Sequence, residues 1–333
     1  MRKRTLGVAL SVALSALLLS SSMLFAEGLP RTVNGKHVMW GMGQGYPSTD
    51  QVSANNLVYH SGPVETVPAV YIVYWGTEWQ TGFSITHGSF TYTSAAIQNY
   101  IDTFFTNVGG SPWAGVQTQY CQGIGVGFSC TGQVGAQSIQ NPMSQLKATW
   151  VDPSPVPATI VATGLASNAV SDPIQDEAAK AAAHFGYDPN ATYFVFTPPN
   201  HGATAYGSVY CAYHSETNRL TGTAVRYAFM PFVPEQGANC GANMVNAQDD
   251  AFGHGFLDGY SIVAGHEYAE AVTDPGNISG FQDGWNDVTS SENGDKCAWT
   301  GLQNITIGGQ TFAVQPMWSN EANGGQGACA VTR

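Results

Sequence analysis

Between Ser261 and Pro275 the chain reads S-I-V-A-G-H-E-Y-A-E-A-V-T-D-P, and no other stretch limits the fold as much. Leu257, Tyr260, Val263 and Ala264 recur at three- and four-residue steps, the period of one helix face. Pro275 cannot continue a helix, and it biases Asp274 away from the helical region. Asp258-Gly259 is a poor helix interior, so the firm helix is predicted over about 260–272. Residues four apart share a helix face, so His266 and Glu270 point the same way, one turn apart. Glu267 is offset from His266 by about 100° around the axis.

Two ligands on adjacent turns can grip one ion, and a Glu between them can accept a proton from a metal-bound water. The bland alternative is a surface helix that happens to carry a His and two Glu. H-E-x-x-E alone does not decide between the two, but the segment downstream of it does. Gly284-Trp285-Asn286-Asp287 is followed by Ser291-Glu292-Asn293-Gly294-Asp295-Lys296-Cys297, with Glu292 22 residues past Glu270. Residues 260–297 thereby resemble the gluzincin metallopeptidases. In that family the third zinc ligand is a Glu about twenty residues past the helix motif, and an Asp one turn later orients the first His through its other ring nitrogen. The resemblance implies one zinc held by His266, Glu270 and Glu292, with Glu267 as the base and Asp295 orienting His266. The chain departs from the family in having Glu270 in place of a second His and a Glu-to-Asp step of three. A His/Glu/Glu set is harder than His/His/Glu, so calcium or manganese stand as alternatives to zinc. Glu270, Asp274, Asp287, Glu292 and Asp295 also make a structural calcium site an alternative.

The first 26 residues are read as a secretory signal. Arg2, Lys3 and Arg4 precede an apolar run from Leu6 to Leu24, with cleavage expected near Ala26. An uncleaved membrane anchor is the rival, and no later stretch is long and apolar enough to span a bilayer. Removing the three basic residues takes the net charge from −12 to −15, which argues against nucleic acid as a partner. Cys121, Cys130, Cys211, Cys240, Cys297 and Cys329 all lie beyond the leader, and an even count in a secreted chain reads as disulfides. Nearest pairing, 121–130, 211–240 and 297–329, closes the shortest loops and is the expected set.

Residues 27–55 are polar and glycine-rich and are expected to form a loosely ordered arm, with His37 exposed. Ala69 to Trp75 is a buried strand by its β-branched and aromatic content. Ser94 to Val108 carries Ile97, Tyr100, Ile101, Phe104, Phe105 and Val108 at helical spacing. Several short antiparallel strands are expected from Pro112 to Asp152, including a hairpin clipped by Cys121 and Cys130. Asp172-Pro173-Ile174-Gln175 starts a helix by capping box, and Gly186 stops it. Strands come next at 192–197, 207–214 and 223–230, and a hairpin turns at Gly308-Gly309. This element order predicts an α/β (α+β) fold with a zincin-like mixed sheet over two helices, substrate lying along an edge strand. The catalytic part is expected over 56–275, and a loop-rich, disulfide-stapled part over 276–333 completes the metal site. His214, Tyr213 and His201 are the candidates to donate to an oxyanion, with His254 a weaker one, while His60 and His184 are expected to be structural.

Leu57-Val58-Tyr59-His60-Ser61-Gly62-Pro63, Val70 to Gly76, Cys211-Ala212-Tyr213-His214 and Ala271-Val272-Thr273-Asp274-Pro275 resemble the phosphate-induced, or EXORDIUM, family of secreted proteins. The likeness runs through 55–330 as scattered short motifs. The family's plant members act in cell-wall growth signalling without established catalysis, and they lack His-Glu before the V-T-x-P end. The two resemblances imply two different functions. One is a secreted, monomeric zinc metallopeptidase acting on polypeptides, and the other is a non-catalytic extracellular EXORDIUM-like protein that binds wall polymer or a partner.

Overall fold

Seven strands join one mixed sheet: β1 (Thr32–Val33), β2 (Lys36–Trp40), β3 (Ala69–Trp75), β4 (Leu146–Asp152), β5 (Ala191–Phe196), β6 (Tyr210–Leu220) and β7 (Thr223–Met230). Their order across the sheet is β1-β2-β6-β7-β5-β3-β4. The run β7-β5-β3-β4 is parallel, whereas β6 is antiparallel to both of its neighbours, β7 and β2. In this computed structural model the described residues are 32–33, 36–42, 56–157, 160, 172–220, 222–247, 254–276 and 283–333. The leader, 1–26, and the 43–55 part of the expected arm lie outside them.

Among the described residues, three helices of more than ten residues flank the sheet: α1 (Ser94–Val108), α2 (Pro173–Phe185) and α3 (His254–Thr273). The inner strands β3 and β5 bury both faces, as strands sandwiched between helices must, whereas the edge strand β4 is partly exposed. On β3, Val70, Ile72 and Tyr74 face a core shared with α1 and α3, and Ala69, Val73 and Trp75 face the core over α2. On β5, Phe194 and Phe196 take the first side, and Tyr193 and Val195 the second. The Asp172 carboxylate accepts from the backbone N–H of Ile174 and Gln175, capping α2 as its sequence predicts.

Helix α3 is buried all round: every residue from Gly255 to Gly276 is buried. It packs on α1 through a 2.8 Å hydrogen bond between the Tyr100 and Ser261 hydroxyls. It also packs on the sheet, on the segment ending at Cys240 and on a hairpin, Gln303–Ile307 with Gln310–Val314, whose Ala313 carbonyl accepts from Ser261 Oγ at 2.6 Å. The helix begins at His254, earlier than the sequence suggests. Gly259 is the reason, because a Cβ there would stand 2.2 Å from the Cys240 carbonyl oxygen. The glycine marks a close approach, not a helix end.

Three further expectations need correction. The segment 36–40 is not a loose arm but an inner strand, with Val38, Met39 and Trp40 buried and His37 only 3% exposed. The sequence K-H-V-M-W carries that strand signal, hidden among glycines. Cys121–Gln122 pairs with Gln137–Ser138, not with Ser129-Cys130. β4 does not join an antiparallel set but runs parallel to β3, a non-local pairing invisible in the local pattern. The disulfides are Cys121–Cys130, Cys211–Cys240 and Cys297–Cys329.

Met39 has no exposed surface and packs in the core beneath the sheet. Met39→Ala is expected to lower the unfolding free energy by about 2–5 kcal/mol in urea denaturation. A loss below about 0.5 kcal/mol would return residues 36–40 to the status of an arm. Glu65 is buried, and burial pushes its carboxyl from an ordinary 4.5 up to about 8. The folded chain therefore holds a proton that the unfolded chain releases, so this group's contribution falls as pH rises from about 4.5 to about 8. Glu65→Gln is expected to flatten that part of the melting-temperature profile, and a parallel loss in both proteins contradicts the assignment.

Candidate metal centre

α3 supplies His266, Glu267 and Glu270, and the chain beyond it returns beneath the helix to supply Glu292 and Asp295. Two devices shape the return. The Asp274 carboxylate, just past the helix, accepts from Gly284 N at 2.8 Å and Asn286 Nδ2 at 3.2 Å. Asp287 Oδ1 accepts from the backbone N–H of Thr289 at 2.8 Å and of Ser291 at 3.0 Å, and its other oxygen pairs with Lys296 Nζ at 2.8 Å. Asn293 Nδ2 then donates to the Ala269 carbonyl at 3.2 Å, and Asp295 N to Glu270 Oε1 at 2.8 Å. The Cys297–Cys329 bridge closes the turn.

β2 and β6 contribute from above. His37 and His214 are direct partners across the two strands, and their rings stack at 4.8 Å between centroids and 20° between planes. His214 Nδ1 donates to Glu267 Oε2 at 3.0 Å and lies 3.6 Å from Glu270 Oε2. On the ring's other side Nε2 is hydrogen-bonded to the Asp274 carbonyl oxygen at 3.1 Å and lies 3.6 Å from Glu292 Oε1. His37 Nδ1 is hydrogen-bonded to Glu292 Oε2.

Among the described residues, three sets of three have ligand atoms within 4.8 Å of one another: His37/His214/Glu292, His214/Glu267/Glu270 and His266/Glu270/Asp295. All of these side chains are buried. The set implied by the sequence, His266/Glu270/Glu292, is not among them, because the His214 ring stands between Glu270 and Glu292. Asp295, expected only to orient His266, lies beside His266 and Glu270 in the place foreseen for Glu292. His37 is the residue that sequence reasoning missed. Tyr213, a candidate oxyanion donor, points into the opposite core with Tyr227 and Phe229, since neighbours on a strand face opposite ways. His201 sits in a loop against Pro157 and Glu78, away from this cluster. His184 stacks on Trp150 at 3.9 Å, a structural contact as expected.

The electrostatics are those of a site built for positive charge. Burial works against charge on His266, but the Glu270, Glu267 and Asp295 carboxylates outweigh it and hold its pKa up at about 9. His37 is likewise raised to about 9, burial opposing and Glu292 prevailing. Burial, together with Asp295 and Glu292, raises Glu270, whereas His37 and His214 overcome burial to hold Glu292 low. Several buried atoms have no hydrogen-bond partner among the described residues: both ring nitrogens of His266, Glu267 Oε1, Glu292 Oε1 and His37 Nε2. His266 Nε2 is 3.0 Å from Glu270 Oε1 but misaligned for a hydrogen bond. Unpartnered buried nitrogen is costly, and an ion between the two groups would remove that cost. The donor set therefore fits a divalent ion of the zinc kind.

No family model, curated protein or solved structure matches this chain.

Gly294 lies where a Cβ would stand 2.8 Å from Glu270 Oε1 and 2.9 Å from His266 Nδ1. Its φ of −73° suits any residue, so the constraint is space alone. Gly294→Ala is expected to displace both side chains and lower the unfolding free energy by about 1–3 kcal/mol by chemical denaturation. An unchanged midpoint would contradict this packing.

Proposed function

We propose that the chain is a secreted, metal-dependent peptide hydrolase with a zincin-like catalytic part. The observation that carries this reading is His266, fully buried with neither nitrogen hydrogen-bonded, one helix turn from Glu270 and within reach of Asp295. In this reading His266, Glu270 and Asp295 hold the ion. When bound, zinc polarises a carbonyl and lowers the pKa of water toward neutrality. Calcium is the less suited ion, because an imidazole is a poor ligand for it. The rest is work for the chain's own groups. Glu267 presents Oε1 without a partner, while its Oε2 is fixed by the N–H of His214. Glu267 accepts a proton at Oε1 from the attacking water and returns it to the leaving nitrogen. With Nδ1 given to Glu267, His214 serves to position the base, not to donate to an oxyanion. Three disulfides, and no described helix long and apolar enough to cross a membrane, fit an extracellular place of action.

One observation favours a second reading. The cluster is buried throughout, and β2 covers the strand, β6, along which a zincin-like protein would seat substrate. A permanently closed centre suits the non-catalytic, EXORDIUM-like alternative, in which the same residues hold a structural ion.

Glu267→Gln keeps the shape of the site and removes the base. Casein cleavage by the purified protein is expected to fall by roughly 10²–10⁴ with metal content unchanged. A parent that retains metal but cleaves no peptide leaves the second reading standing, and a variant as fast as a cleaving parent removes Glu267 from the role of base.

A further inference from the structure

β2 brings to the centre an imidazole that the proposed hydrolysis does not use. His37 is 3% exposed and pairs with His214 across the sheet. The two rings stack, and each presents a nitrogen to the same carboxylate. His37 Nδ1 meets Glu292 Oε2, and His214 Nε2 faces Glu292 Oε1 at 3.6 Å. Glu292 Oε1 is buried without a hydrogen-bond partner. A spacing of 3.6 Å is too long for a hydrogen bond. It is close to the separation of about 3.4 Å between two donors on a tetrahedral ion with bonds near 2.1 Å.

The other ring nitrogen of His214 is already committed. Its N–H donates to Glu267 Oε2 at 3.0 Å. Nε2 is hydrogen-bonded to the Asp274 carbonyl at 3.1 Å, a bond that an ion at this nitrogen would replace, and a carboxylate holding the other imidazole nitrogen is the usual support for a metal-bound histidine. The support sits on α3, and the ligand it aims sits on β6.

Charge points the same way. Glu267, Glu270, Glu292 and Asp295 converge in the buried interior, with Asp274 behind them. They lie against the C-terminal half of α3, whose dipole adds negative potential. Lys296, the lysine of the same loop, is paired with Asp287. One divalent ion at His266, Glu270 and Asp295 offsets half of the four converging charges. The remainder is met by protons on His37 and His214, or by a second ion in their place.

We infer that His37, His214 and Glu292 form a second cation site, distinct from the one on α3 and suited to zinc or a similar transition ion. Two imidazoles and one carboxylate are the donors that such ions prefer, and calcium and magnesium do not. The inference rests on the chain's donors and does not require the hydrolase reading to hold.

The test uses the full secreted chain, equilibrated with zinc and stripped of loose ions by gel filtration, with zinc per chain measured by elemental analysis. The parent is expected to carry two. His37→Gln retains a donor toward Glu292 but lacks the imidazole, and is expected to carry one. His266→Gln is also expected to carry one, lost from the other site. A parent with one zinc that survives in His37→Gln overturns the second site and leaves the hydrolase reading intact. A parent with one zinc that is lost in His37→Gln and kept in His266→Gln supports the site and removes the proposed catalytic one. A parent that holds none overturns both. Should neither variant be recovered folded, cobalt titration of the parent decides. Two successive one-equivalent steps support the inference, and a single step overturns it.

Discussion

Four carboxylates and three imidazoles share one buried space around α3, and that crowding governs the molecule. Carboxylates do not enter such an interior unless something offsets their charge. His214 shows how tightly the groups are interlocked, with one nitrogen against Glu267 and Glu270 and the other against Glu292. Removing any one member leaves a neighbour buried and unpaired, which is why such clusters are stable only when complete. An ion would provide the missing positive charge without asking every imidazole to carry a proton.

The fold can be read as the apparatus that brings these groups together. α3 is held on every side, so its His and Glu residues cannot turn to water. β6 is antiparallel to both of its neighbours and sets His214 over the helix. The loop from Gly284 to Cys297 is drawn back by Asp274 and Asp287 and locked by Cys297–Cys329, which places Glu292 and Asp295 below. The Cys211–Cys240 bridge ties the start of β6 to the segment leading into α3. Closing a loop of that length restricts the unfolded chain by about 3 kcal/mol. Disulfides thus fix both of the chain segments that must converge on the helix.

The part of the structure legible in the sequence was local. The Ala69–Trp75 strand, the Ser94–Val108 helix and the Asp172 cap arise from short-range pattern and chemistry, and all three lie where that pattern puts them. The one-turn relation of His266 and Glu270 was equally plain, and they stand 3.0 Å apart. The features that escaped depend on partners far along the chain. The strand signal of β2 is short and set among glycines, and its pairing with β6 carries His37 inward. β4 finds β3 across a long stretch of intervening chain. Gly259 reads as a helix breaker until the Cys240 carbonyl is seen against it. The exchange of Glu292 and Asp295 about the His214 ring has the same origin, since spacing cannot reveal an imidazole inserted from another strand.

The central claim is that cations, not protons, offset this buried charge. Anomalous scattering from crystals of the secreted protein, recorded on both sides of the zinc absorption edge, tests it most directly. The account predicts an anomalous peak bounded by His266, Glu270 and Asp295, and another bounded by His37, His214 and Glu292. A map with no peak at either place, and with His37 bonded to Glu292 and His214 to Glu267 as they are here, would contradict it.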